Sequence, residues 1–100
     1  MTTGLNLYIN QGATYSYTHD TERDLSGYSG RGKLKKSYTA STNTSFSVSI
    51  SSGNIILDLT AAQTANITAG RHLYDIELYS GNTVIRELQG IAVVDPEITD

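Results

Sequence analysis

Residues 45–50 read Ser-Phe-Ser-Val-Ser-Ile, a strict alternation of hydroxyl and apolar side chains. Successive strand residues point to opposite faces, so Phe46, Val48 and Ile50 turn inward while Ser45, Ser47 and Ser49 face out. The same period recurs along the chain. In "LNLYI" Leu5, Leu7 and Ile9 share a face, in "ATYSYTH" Tyr15 and Tyr17 do, and in "IILDL" Ile55, Leu57 and Leu59 do. About a quarter of the residues are Ser or Thr and seven are Tyr, a bias towards pleated structure.

Turn chemistry separates these runs. "NQG" follows the first, "SSGN" at residues 51–54 joins two runs as a hairpin, and Gly81-Asn82 separates the two longest, "RHLYDIELYS" and "TVIRELQGIAVV". "DTERDLSGYSG" reads as a charged loop with a brief strand at "DLSGY", and "GRGKLKKSYTA" as a strand with Arg31, Lys33 and Lys35 on one face and Leu34 on the other. Gly90 interrupts the last run, which predicts a bulge there that re-aims Ile91 and Val93. Pro96 is incompatible with a central strand, so the last run ends before it.

The segment "LTAAQTANITAG" departs from the period. Thr60 is a plausible N-cap, residues 61–66 suit one or two helical turns, and Gly70 permits a return bend. About seven short strands with one short crossover helix near residues 60–67 predict an all-β sandwich or small barrel, in one domain spanning 1–100. The helix would carry the chain from one sheet to the other.

The net charge of −3, with 38% hydrophobic and 17% charged residues, fits a globular chain, and no apolar run approaches the ~20 residues of a membrane helix. No secretion signal is recognisable at the start, and with no cysteine the chain has no disulfide or thiolate metal site. The glycosylation-type triplets at Asn43 and Asn66 are then read as chance matches.

Several chemical motifs are suggested and fail. "GYSGRGK" (Gly27 to Lys33) matches the spacing of a phosphate-cradling loop, but Leu34 stands where Ser or Thr must hold magnesium, and a strand follows where a helix is needed. His19, Asp20, Glu22 and Asp24 read as a solvated loop or strand end. His72 falls on the strand face opposite Asp75 and Glu77, and two histidines in the chain argue against a zinc centre. No serine sits in G-x-S-x-G. The expectation is a non-enzyme with no cofactor, metal or small-molecule substrate, no membrane span and no nucleic-acid partner. The basic run Arg31, Lys33, Lys35 and Lys36 and the tyrosines Tyr8, Tyr28 and Tyr79, expected to stand exposed, are the candidate protein-contact residues, joined by Asp95 and Glu97 of the acidic end "DPEITD".

The tail "ITAGRHLYDIELYSGNTVIRELQGIAVVDPEIT" resembles a recurrent ending of small tailed-bacteriophage proteins. There a Thr-Ala turn leads through Ala-Gly to a Tyr-Asp-Ile/Leu-Glu-Leu strand, a short turn, an Arg-hydrophobic-x-Gly strand and Pro-Glu-hydrophobic-Thr. "LNLYINQGATYSYT" and "DLSGYSGRGKLK" are similar to the opening strands and the Asp-Leu-Thr-Gly-Tyr loop of the same proteins. The layout is similar to the N-terminal immunoglobulin-like domain of phage baseplate upper proteins. "THDTERD" is a shorter loop than that pattern has, and no receptor-binding part follows Asp100, which turns the expectation away from a direct host-receptor role. The resemblance implies an immunoglobulin-like β-sandwich serving as a structural virion component of neck, tail, baseplate or capsid surface. It would be made in the host cytoplasm and would contact other virion proteins in multiple symmetric copies. The alternative it leaves is a host-surface or carbohydrate-binding module of the same fold.

Overall fold

A computed structural model describes residues 3–36 and 43–96. The elements in chain order are β1 (Thr3–Gly4), β2 (Leu7–Asn10), β3 (Tyr15–Asp20), β4 (Ser29–Lys35), β5 (Asn43–Ser51), β6 (Asn54–Leu59), α1 (Ala61–Ala65), β7 (Gly70–Ser80) and β8 (Thr83–Asp95). The fold is all-β with one short helix, as the alternation predicts. Strand order is β1-β8-β7-β4-β5-β6-β3, with β2 following β1 along the same edge of β8. Taken as one interrupted edge strand, β1 and β2 bring the count to the seven expected. Both run parallel to β8, while every other pairing is antiparallel.

β5 joins two halves of the sheet. Its first residues, Asn43 to Phe46, pair with β4, and Ser47 to Ser51 pair with β6. One half is therefore β1/β2-β8-β7-β4, and the other is β6-β3, with β5 shared. Among the described residues no ladder joins β3 to β2. The two inner faces enclose one core, in which Ile55, Leu57 and Leu59 of β6 meet Ile76, Leu78 and Leu88 of β7 and β8. Fully burying each such side chain contributes about 1.5–3 kcal/mol. Among the described residues the single aromatic pair, Phe46 edge-on to Tyr74 at 6.2 Å, bridges β5 and β7.

The strand faces follow the alternation closely. Phe46 is buried with Val48 and Ile50 half-buried beneath it, and Ser45, Ser47 and Ser49 are exposed. The β5–β6 hairpin turns on Ser52 and Gly53, with Ser52 left-handed at φ 58°. No strand forms at "DLSGY": residues 21–28 are loop, from which Leu25 enters the core and Tyr28 packs against it. The predicted strand "GRGKLKKSYTA" is seen to Lys35, and residues 37–40 lie outside the described region.

The bulge in β8 is not at Gly90. The register slips between Ile76 and Glu77 of β7, which leaves Glu87 as the extra residue on β8. A bulge sets two adjacent side chains on the same side of the sheet, and both Glu87 and Leu88 are buried. The phase set there makes Ala92 and Val94 the inward residues, while Ile91 and Val93 stay half-exposed on the other face. Gly90 serves close approach instead. A Cβ there would collide with the carbonyl of Leu5, where the chain passes from β1 to β2. The Tyr74 hydroxyl donates to that same carbonyl at 2.5 Å, fastening the interrupted edge strand over Gly90.

α1 carries the chain from β6 to β7, the expected crossover. Thr60 caps it: its hydroxyl accepts from Gln63 N while the Gln63 side chain accepts from Thr60 N, a reciprocal capping box. The helix is also a clamp. Fully buried Thr64 accepts from Gly12 N at 3.0 Å and donates to the Ala13 carbonyl at 2.8 Å. Gln11 Nε2 donates to Ile67 O at 2.9 Å. The turn between β2 and β3 is thereby tied to the crossover that faces it. Gly70 follows with φ 119°, the return bend the sequence predicts.

Candidate functional site

Cross-strand register builds the outer face of the β4–β7–β8 half row by row. Ser29, Tyr79 and Val84 form one row. Arg31, Glu77 and Arg86 form the next, then Lys33, Asp75 and Gln89, then Lys35, Leu73 and Ile91. Arg71, Val93 and Tyr8 complete it across β7, β8 and β2. The predicted basic stripe Arg31, Lys33 and Lys35 is thus real and lies along the β4 side of this face. Its narrow backbone has a packing reason. A Cβ on Gly30 would strike Val48, and one on Gly32 would strike Ile76. The glycines of "GYSGRGK" serve this close packing of β4, and the segment runs on as strand.

The two carboxylates in the middle of the face, Asp75 and Glu77, are engaged. Arg31 Nε donates to Glu77 Oε1 at 2.9 Å, and its guanidinium stacks 4.8 Å above the Tyr79 ring. Arg86 pairs with Asp75 at 3.5 Å. Lys33, Lys35 and Arg71 form no ion pair with another described residue, so the positive charge of this face is in surplus. A groove of about 520 Å³ runs along it, lined by Lys33, Lys35, Asp75, Arg86 and, on its apolar side, Leu73 and Ile91.

The remaining candidate residues are scattered. Lys36 lies past the end of β4, with its ammonium directed at Gly70 and away from the Arg31–Lys35 row. Tyr8 is 66% exposed, as expected. Tyr28 and Tyr79 are half-buried, contrary to expectation: Tyr28 packs against the core, and Tyr79 lies beneath Arg31. Asp95 is exposed at the end of β8, and Glu97 lies outside the described residues.

The acidic loop behaves as a solvated turn. Asp20 accepts from Glu22 N at 2.9 Å, and Asp24 accepts from both the amide and hydroxyl of Ser26. Those bonds hold the Asp24 carboxyl below its usual range. Among the described residues no group of three His, Asp or Glu side chains is placed to hold a metal ion, and no helix is long and apolar enough to cross a membrane. His72 is buried, facing away from Asp75 and Glu77, and its Nε2 donates to the Thr68 carbonyl at 2.7 Å.

Burial perturbs two tyrosines. Desolvation, with Tyr17 nearby, pushes the Tyr15 hydroxyl up to about 12. Tyr74 is raised further, by burial first and then by Tyr15 and Tyr17. Three participants escape sequence reasoning. Arg71 and Arg86 lie far along the chain from the basic run, and only strand register brings them to its face. Glu87, buried by the bulge, pairs with Arg23 of the β3–β4 loop. A search of protein-family models finds none that matches this chain, and a search of curated proteins finds no match either.

Proposed function

We propose that this chain is a non-enzymatic structural component of a tailed-phage virion, acting through protein contacts in a symmetric assembly. The sequence resemblance supplies the setting. The observation that carries the contact role is the outer face of β4, β7 and β8, where surplus cations flank an open groove lined by the half-exposed Leu73 and Ile91, with half-exposed Val93 on the same face. Apolar side chains rimmed by charges are what a protein partner buries and steers towards. The strand order, with its parallel edge strand on β8 and its shared β5, is compatible with the immunoglobulin-like sandwich that the resemblance implies.

A carbohydrate-binding module would need aromatic rings free to stack on sugars. Tyr8 alone of the three candidate tyrosines is largely exposed; the Tyr79 ring is covered by Arg31 and Tyr28 packs on the core. That balance favours the structural role. Quantitative mass spectrometry of purified virions that carry this chain tests it. A fixed copy number relative to the major capsid protein is expected. Complete, infectious particles that lack the chain would refute the proposal.

A further inference from the structure

The outer faces of the two sheet halves differ in charge. The β4–β7–β8 face carries Arg31, Lys33, Lys35, Arg71 and Arg86 against Asp75, Glu77 and Asp95, a net +2. The rest of the chain, with seven carboxylates against Arg23 and Lys36, carries −5. On the β3–β6–β5 side, the outward rows are Ser16, Asp58 and Ser47, then Thr18, Ile56 and Ser49, then Asp20, Asn54 and Ser51. Those rows contain two carboxylates, a series of hydroxyls and no cation. Glu22 and Asp24 extend the acidic surface from the end of β3.

We infer that a second copy of this chain is the partner, and that copies associate head to tail. The β4–β7–β8 face of one copy docks on the β3–β6–β5 face of the next. Two observations converge on this occupant. Among the described residues Lys33, Lys35 and Arg71 have no ion partner, so their charge is available to a neighbour. The complementary surface, acidic and hydroxyl-bearing, stands on the opposite half of the same chain, which makes the contact heterologous and able to propagate into a ring or stack. Three adjacent strands at ~4.8 Å spacing, over eight residues at ~3.3 Å, present roughly 380 Å², about half the ~800 Å² per partner of a standard interface, so each contact is weak and gains from repetition.

A nucleic-acid ligand fits less well. Asp75 and Glu77 occupy the middle of the basic face, where a phosphate backbone would meet them. The inference stands on the charge map alone, so its failure would leave the virion reading intact.

Sedimentation velocity of the whole chain, over a range of concentrations and salt, tests it. Concentration-dependent association is expected at low salt, weakening as ionic strength rises. Lys33→Glu with Lys35→Glu should weaken association at least ~10-fold, because it sets like charges against each other. Ser47→Lys with Asp58→Lys should do the same from the other side. Lys33 and Ser47 are exposed and Lys35 and Asp58 half-exposed on outward faces, and circular dichroism confirms folding. An equimolar mixture of the two variants should associate again, since each restores the other's complement. A chain that stays monomeric at low salt, an association that neither variant alters, or a mixture that stays apart would each overturn the inference. So would retention of single-stranded DNA by the wild type without self-association.

Discussion

The two halves of the sheet bury the same kind of side chain and present different surfaces. Inward, β6 offers Ile55, Leu57 and Leu59, and β7 offers Tyr74, Ile76 and Leu78. Outward, β5 and β3 show mostly Ser and Thr, whereas β4, β7 and β8 show paired and unpaired charges around half-exposed Leu73, Ile91 and Val93. Folding constrains only the inner faces. The hydroxyl face is what a strand needs to be solvated. The charged face exceeds that need, and the excess is where a partner is to be sought.

The halves should also respond differently to substitution. The largest effect is expected at Gly90, in the charged half, where the backbone of Leu5 occupies the space of a side chain. Gly90→Val should cost about 3 kcal/mol and detach the N-terminal edge strand. Ser49→Val, on the exposed face of β5, should stay within ~0.5 kcal/mol. Urea denaturation of both variants measures the contrast, and equal losses would erase it. Next is Thr64, whose hydroxyl links the crossover helix to Gly12 and Ala13. Thr64→Val keeps the shape and strands the half-buried Gly12 amide, so a loss of about 1–2 kcal/mol is expected in the same assay.

A smaller effect belongs to Arg31. Its pairing with Glu77 and its stacking on Tyr79 are exposed to solvent, so Arg31→Ala should cost about 0.5–1 kcal/mol. Repeating the measurement at 1 M salt should shrink the ion-pair share of that loss. The smallest effect at neutral pH is at Tyr15, whose folded hydroxyl titrates near 12 against a usual value of 10. The folded state favours the protonated form, so this contribution is complete below pH 10 and is lost as pH rises from 10 to 12. Tyr15→Phe should leave stability at pH 7 nearly unchanged and raise the midpoint of alkaline unfolding. Circular dichroism followed through that pH window reads it, and an unshifted midpoint would count against the assignment.

Local pattern made most of the fold legible. The Ser-Phe-Ser-Val-Ser-Ile run, the two hairpin turns, the Thr60 cap and the Gly70 bend all act within a few residues, and the structure has each of them. What local pattern could not supply was set by distant partners. β5 reads as one uniform strand, yet it changes neighbours midway, because β4 and β6 reach only its two ends. Gly90 looks like the break in β8, but the extra residue is Glu87, a carboxylate whose partner Arg23 lies on the β3–β4 loop. Of the candidate contact residues, the alternation placed Arg31, Lys33 and Lys35 together. It could not show that Arg31 would cover Tyr79, or that Arg71 and Arg86 would join the same face from other strands.

Cryo-electron microscopy of an intact particle that carries this chain is the most direct measurement. Density for the domain at a symmetry-related set of positions, with the β4–β7–β8 face buried against protein, is the result expected. Density with that face open to solvent and the β3–β6–β5 face alone in contact would contradict the assignment of the contact surface, and a particle complete without the domain would contradict the virion role itself.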